Sequence, residues 1–195
     1  VATVDGGVRE RKKRATRAQL EEAAFSLFAQ QGYDSTTVDE ISEAAHVSPR
    51  TFFRYFATKE DVIFGDHAEY LEQVRAAMEH GPGEDGDVVR DGLLQFSRLL
   101  EDRRDSVLSR RQLVLDNPSL QGRVLCVESA WATTMAEALA VRGGAAVPTF
   151  EQQVLTSCAM SALSAAVQAW HEAGADEPLH VYTERALDTV GSCLR

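Results

Sequence analysis

The sequence predicts an all-α fold, with a small helical domain at the N-terminus and a larger helical body behind it. Three observations carry this. From about residue 16 onward apolar residues recur at three- and four-residue spacing, the mark of helices with one face on a core, and no β-like alternation or internal repeat interrupts them. Between Thr36 and Lys59 two short helices, each with its own start signal, are joined by a turn of a few residues. Glycine- and proline-rich breaks then divide the remainder into further helices, about nine in all.

Composition sets the outer bounds. The chain has 195 residues, 44% of them hydrophobic and 26% charged, enough apolar material for a packed core. No run of about 18 apolar residues is evident, so no membrane span is expected. The opening VATVDGGVRERKKR has basic residues without an apolar segment behind them, unlike a secretory signal. Cys126, Cys158 and Cys193 are odd in number and far apart. They read as small buried hydrophobes in a reducing cytoplasm, with no disulfide framework, metal site or cofactor.

In chain order, residues 1–10 carry Asp5-Gly6-Gly7 and no periodicity, and the basic run continues to Arg14, so residues 1–14 are expected as a disordered basic arm. A helix follows from about Thr16 to Gln31, with Leu20, Ala23, Ala24, Leu27 and Phe28 as its inward stripe and Gly32 as its left-handed end. Thr37 with Glu40 three residues on is a capping-box start, and Val38, Ile41 and Ala45 give that helix a narrow apolar face. The turn falls at His46-Val47. Ser48 is an N-cap and Pro49 occupies the first helical position, where a missing N–H is harmless. Phe52 and Phe56 face inward from the next helix, leaving Arg50, Thr51, Arg54 and Tyr55 outside. This is a helix-turn-helix, whose second helix can enter a major groove. It closes a domain over residues 15–58.

Residues 59–195 are read as the second domain. Thr58 to Asp61 start a helix that runs to about His80, and GPGEDGD at 81–87 is a loop with three glycines and a proline. Val89, Leu93, Phe96 and Leu100 mark one helix, Leu108 to Leu115 a shorter one, and Leu120 to Ala138 a long one closed by Gly143-Gly144. From about Thr149 to Ala173 the residues are apolar or small nearly all round, which asks for cover on more than one side. That helix and the last one, about Leu179 to Leu194, can pair with their copies in a homodimer.

Charge divides along the same line. Up to residue 60 there are 9 Lys or Arg and 9 Asp or Glu; beyond it, 11 against 21, so the net −10 lies in the body. Arg9, Arg11, Lys12, Lys13, Arg14 and Arg17 sit within nine positions. Phosphate binding needs such a local basic surface rather than a basic whole.

The stretch AAFSLFAQQGYDSTTVDEISEAAHVSPRTFFRYFATKEDV has a helix ending in Gly-aromatic, a Thr-Thr-Val helix start, an Ala-Ala-x-Val-Ser turn and a Thr-Phe-Phe-x-Tyr-Phe-x-x-Lys-Glu ending. With these features the first 65 or so residues resemble the TetR family of bacterial transcriptional regulators. The resemblance implies that Thr37 meets a phosphate at a helix start. It places Ser48, Arg50, Thr51 and Arg54 in the groove, with Arg50 or Arg54 bidentate to guanine, and Tyr55 and Lys59 on backbone phosphates. Phe53 belongs to the same expected DNA-binding set but stands for the usual tyrosine, which removes one phosphate hydrogen bond. Arg50 stands where many relatives have glycine.

RRQLVLDNPSLQGRVL, Trp131 and AEALAVRGG, within about residues 107–172, are similar to the effector domains of a TetR subgroup linked to acyl-coenzyme A-like ligands, mycofactocin-type regulators included. This implies an effector-binding and dimerisation role for residues 59–195, with a cavity closed by Phe96, Leu113, Trp131 and Trp170. Arg103, Arg104, Arg110 and Arg111 are candidates for ligand phosphates or for plain surface charge.

A carboxylate-bridged helical enzyme needs two Glu-x-x-His pairs on facing helices. Glu43-x-x-His46 lies inside the helix-turn-helix and Glu177-x-x-His180 contains Pro178, so neither serves, and no nucleophile elbow or P-loop occurs. A structural adaptor leaves the second short helix unexplained. The expectation is a cytoplasmic, non-enzymatic regulator, commonly a repressor. It binds a near-palindromic operator as a homodimer and is released by a small apolar or acyl-CoA-like effector.

Overall fold

The computed structural model describes residues 4–64 and 67–193, and among them every regular element is a helix. There are ten: α1 (Val4–Gln31), α2 (Val38–Ala44), α3 (Pro49–Tyr55), α4 (Glu60–Phe64), α5 (His67–His80), α6 (Asp85–Glu101), α7 (Arg104–Asp116), α8 (Pro118–Arg142), α9 (Phe150–Glu172) and α10 (Leu179–Cys193). The chain divides into two compact units, Val1–Gly65 and Asp66–Arg195. Of the helix expected from Thr58–Asp61 to about His80, the described residues form α4 and α5, and α4 belongs with the first unit: Val62 and Ile63 are fully buried there.

In the first unit α1 packs on α2 and α4. Leu20, Ala24 and Phe28, one per turn, are its most deeply buried residues. Ile41 of α2, Phe52 of α3 and Phe56 at its end are buried in the same unit, with Tyr33 against Phe28 at 5.2 Å and Phe52 against Phe56 at 5.6 Å between ring centroids. The helix begins at Val4 rather than near Thr16, so residues 4–14 of the expected disordered arm are helical. Arginine, lysine, glutamate and alanine are strong helix formers, and no proline interrupts them, so α1 extends on propensity beyond its apolar stripe. Residues 1–3 of that arm lie outside the described residues.

The α2–α3 turn is a left-handed helix end. His46, at φ 54°, donates its N–H to the Glu43 carbonyl (3.0 Å), and Val47 donates to Ser42 (2.9 Å). Those two bonds make a Schellman motif, which usually has glycine where His46 stands. The same pair of bonds closes α8 at Gly144 and α9 at Gly174.

In the second unit α9 lies against α8, α10 and α6, and α5 against α8 and α6. The main core is built from Val74 and Met78 of α5, Leu93 and Phe96 of α6, Trp131, Met135 and Leu139 of α8, and Met160 and Leu163 of α9. A smaller group holds Val107, Trp170, Ala175 and Leu179. Within the core, the fully buried Ser97 and Thr183 hydroxyls bond each other at 2.7 Å while also reaching carbonyls of their own helices, so neither is left unsatisfied. At the far end Arg142, the last residue of α8, bonds the Gly81 carbonyl (2.9 Å), the Gly83 carbonyl and the Asp85 carboxylate (2.8 Å). The other Asp85 oxygen accepts from Gln152 of α9 (2.9 Å). Only residues 81–84 of the expected loop remain outside a helix, since Asp85 begins α6.

By length and composition α8 could cross a membrane, with a mean hydropathy of 1.3 in its most apolar window. It is instead a core helix over its second half, where Trp131, Ala132, Met135 and Leu139 are buried. Its first half is largely uncovered, so Cys126 is exposed rather than packed, and Leu125 is 66% exposed. Cys158 is half-buried. The Leu194 and Cys193 side chains lie outside the described residues.

Candidate nucleic-acid interface

The second short helix, α3, is fixed at both ends. The Ser48 hydroxyl accepts from the Thr51 N–H (3.2 Å) and lies 3.0 Å from the Thr51 hydroxyl, while Pro49 fills the first helical position. Phe52 and Phe56, one turn apart, are buried and anchor the helix inward. The opposite arc is therefore Arg50, Phe53 and Arg54, all exposed. Thr51 and Tyr55 flank it half-buried, and the Arg54 guanidinium stands 5.1 Å over the Tyr55 ring. Six of the expected contact residues, Ser48, Arg50, Thr51, Phe53, Arg54 and Tyr55, thus occur on one short helix and its cap.

Thr37 and Lys59 are placed differently. The Thr37 N–H and hydroxyl both donate to one Glu40 oxygen at 2.8 Å, and the Glu40 N–H returns to the Thr37 hydroxyl at 3.2 Å. Those bonds from Thr37, then the Gln31 amide, hold the exposed Glu40 carboxyl below its ordinary range. A carboxylate already occupies the donors expected to meet a phosphate. The Lys59 ammonium turns to its own unit, donating to the carbonyls of Tyr33 (2.6 Å) and Thr36 (2.9 Å) and lying 4.1 Å from the Tyr33 ring centroid. It ties α4 to the segment ahead of α2, so it positions the helix-turn-helix from within.

Tyr33 and Glu60 complete that tie and were not singled out by sequence. The Tyr33 hydroxyl donates to Glu60 at 2.6 Å. Burial, then the Glu60 carboxylate, pushes the Tyr33 phenol well up. For Glu60 burial acts in the opposite sense to its net shift; the hydrogen bonds from Tyr33, its own backbone and Thr58, with the Lys59 charge, outweigh it and hold the carboxyl down. The sequence signal was the Gly-Tyr and Lys-Glu pairs of the motif, whose partnership only the fold reveals. In the basic run, Arg11, Lys12, Lys13 and Arg14 are exposed on α1, whereas Arg17 pairs with Glu21 (3.0 Å) and stacks 4.9 Å over the Phe56 ring.

In the second unit the four residues expected to close one cavity divide. Phe96 and Trp131 stack at 4.7 Å between centroids, with Tyr70 5.7 Å from Phe96. Trp170 lies in the smaller group and donates its indole N–H to the Glu177 carbonyl (2.8 Å). Leu113 is half-buried on α7, in neither group. A cavity of about 280 Å³ between α8 and the start of α9 is lined by Ala132, Thr133, Ala136, Pro148, Gln153, Thr156 and Ser157, none of the four. Of the candidate arginines, Arg103 stands 5.5 Å over the Tyr70 ring and Arg104 donates to the Gly174 carbonyl (2.9 Å). Arg111 lies on the same side of α7 as the buried Val107 and Val114, and its Nε is buried without a hydrogen-bond partner.

Two short capped helices, the second presenting cations and an aromatic ring to solvent, joined in sequence to an all-helical body with a mixed aromatic core, define a DNA-binding regulator of the helix-turn-helix class. The chain belongs to the TetR family of bacterial regulatory proteins: residues 20–64 match the family model for its N-terminal domain, and residues 86–195 match that of the MftR C-terminal domain. It is 29% identical over 189 residues to a Mycobacterium tuberculosis protein named as the mycofactocin biosynthesis transcriptional regulator MftR, covering 94% of this chain and 93% of that one. The HTH-type regulator TcmR of Streptomyces glaucescens is 50% identical over 76 residues, 39% of this chain and 34% of that protein. The fold is shared with the fatty acid degradation regulator FadR of Bacillus halodurans, with a TM-score of 0.61 at 19% identity over 89% of this chain and 93% of that one. It is shared too with the Thermus thermophilus repressor FadR solved with lauroyl-CoA, with a TM-score of 0.57 at 24% identity over 88% and 91%.

Proposed function

We propose that this regulator is a cytoplasmic homodimeric repressor that binds a near-palindromic operator and is released by a small apolar or acyl-CoA-like effector. The observation that carries the DNA-binding part is the exposed arc of α3, Arg50, Phe53 and Arg54, held outward by the buried Phe52 and Phe56. Arg50 and Arg54 read guanine or hold phosphate; Ser48, Thr51 and Tyr55 fix the register on the backbone. Thr37, Glu40, Tyr33, Lys59 and Glu60 set the angle at which α3 is presented.

The second unit supplies the effector site and the dimer contact. Support for the dimer comes from α9, whose uncovered side carries Phe150 and Val154, 74% and 43% exposed, with the small residues Ser157, Ser161 and Ala165 following at helical spacing. For the effector, the aromatic set Tyr70, Phe96 and Trp131 offers an apolar wall, and the half-buried Arg111 of α7 offers a cation for an acidic end such as a phosphate or carboxylate. An effector releases DNA only by its differential affinity for the binding-competent and incompetent separations of the two recognition helices.

Arg54→Ala tests the groove contact. Binding of the full chain to duplex DNA from upstream of its own gene should weaken by about 1–3 kcal/mol, with random duplex affected less. Equal loss on both would make Arg54 a phosphate contact. Wild-type affinity should also fall steeply with salt, because each neutralised phosphate releases counterions; a flat response would overturn the DNA-binding reading. Native mass spectrometry of the purified protein reports the dimer and any retained small molecule in one measurement.

A further inference from the structure

Phe53 is the odd residue on the exposed arc of α3. The helix has three phenylalanines at or beside it: Phe52 and Phe56 are 0% and 2% exposed, whereas Phe53 is 57% exposed. An apolar ring left in water forgoes the stabilisation that burial would give it. Its direction is nevertheless set: Phe53 meets Phe52 edge to face, at 5.5 Å between centroids and 84° between planes. Arg50, one turn before it, and Arg54, next to it, are exposed on either side. A phenyl ring can neither donate to a phosphate nor accept from a base edge. In the major groove one feature is complementary to it, the C5 methyl of thymine.

We propose that Phe53 is a specificity-determining residue that packs on a thymine methyl, so that each operator half-site carries a thymine within one or two base pairs of the guanine read by Arg50 or Arg54. This rests on the DNA-binding reading above and adds the base. The spacing follows from geometry. Neighbouring residues on α3 rise 1.5 Å along the helix, and stacked bases are separated by about 3.4 Å, so side chains one residue or one turn apart reach adjacent steps. The two guanidinium groups supply charge and hydrogen bonding, and Phe53 between them supplies the one contact that distinguishes thymine from cytosine by shape alone.

Deoxyuridine differs from thymidine only by that methyl. Duplexes are selected from a random-sequence library by the full-length protein, and each thymine of the winning sequence is replaced singly by deoxyuridine. One position per half-site should lose affinity by about fourfold, the value of one buried methyl-sized group. With Phe53→Ala that loss should vanish while the other uridine positions behave as in wild type; Phe53→Leu, which keeps an apolar group, should retain part of it. Phe53 is exposed, so both variants are expected to fold, and circular dichroism checks this. Indifference of the wild type to every uridine, or the same loss in wild type and in both variants, would overturn the proposal while leaving DNA binding intact. Failure to select any duplex at all would overturn the DNA-binding reading with it.

Discussion

Tyr33 and Glu60 couple stability to pH through a single hydrogen bond of 2.6 Å. Glu60 is held below its ordinary value of 4.5, so its contribution is fully present above that pH and is lost as pH falls through its lower folded value. Tyr33 is held above its ordinary 10.0, so its contribution is fully present below pH 10 and is lost only as pH rises towards the folded value. Tyr33→Phe should therefore lower stability at pH 7 by about 1 kcal/mol, because the bond reaches a partly solvated carboxylate. It should also flatten the acid limb of the pH–stability profile, measured by urea unfolding from pH 3 to 8. An unchanged acid limb would show that Glu60 is held down by its backbone and Thr58 bonds rather than by the phenol. At this scale the sequence was legible where partners are local. Phe52 and Phe56 at four-residue spacing implied an outward face of Arg50, Thr51, Arg54 and Tyr55; Arg50 and Arg54 are exposed, Thr51 and Tyr55 are half-buried, and Phe53 joins the exposed arc. Lys59 was not legible: its carbonyl partners lie 26 and 23 residues away, and no local pattern turns a lysine inward.

Among the elements, the turn between α2 and α3 concentrates strain in one residue. His46 takes the left-handed conformation that the Schellman motif requires, and a residue with a Cβ gives up about 1 kcal/mol there relative to glycine. Its side chain is exposed. His46→Gly should thus raise the stability of the chain by up to about 1 kcal/mol, offset in part by the greater freedom glycine brings to the unfolded chain. Thermal unfolding checks the sign. A loss would mean that the imidazole makes a stabilising contact in the turn. Helix starts were the most readable elements, because a cap is a local chemical event: Thr37 with Glu40, and Ser48 with Pro49, were both identifiable and both form. The start of α1 was not, since Gly6-Gly7 reads as a breaker while the charged residues after it favour helix without any apolar stripe to announce one.

For the whole molecule, the charge split and the order of motifs pointed to a helix-turn-helix domain ending at residue 58 and a helical body from 59; the compact units divide later, at Val1–Gly65 and Asp66–Arg195. The layering of the body was not legible. Trp131 and Trp170 are equally apolar and both on long helices, yet they enter different groups, because which face of α8 or α9 meets which neighbour depends on crossings that no single periodicity records. The uncovered side of α9 yields the prediction at this scale. If it is the dimer contact, Phe150→Asp should raise the dimer dissociation constant by about a hundredfold, since a two-fold interface counts each lost ring twice. Native mass spectrometry across a dilution series should then show monomer at concentrations where the proposed wild-type dimer persists; an unmoved wild-type dimer would place the contact on another face.

Arg142 carries a kinetic meaning beyond its role as a fastening. Its bonds to Gly81 and Asp85 span 61 and 57 residues of chain, and the Gln152 bond to the same Asp85 spans 67. Contacts of such long reach need most of the second unit to be assembled before they can form. If they form after the folding barrier, Arg142→Ala should speed unfolding while leaving the folding rate nearly unchanged, which refolding and unfolding rates in urea would check; an equally slowed folding rate would place them in the barrier itself.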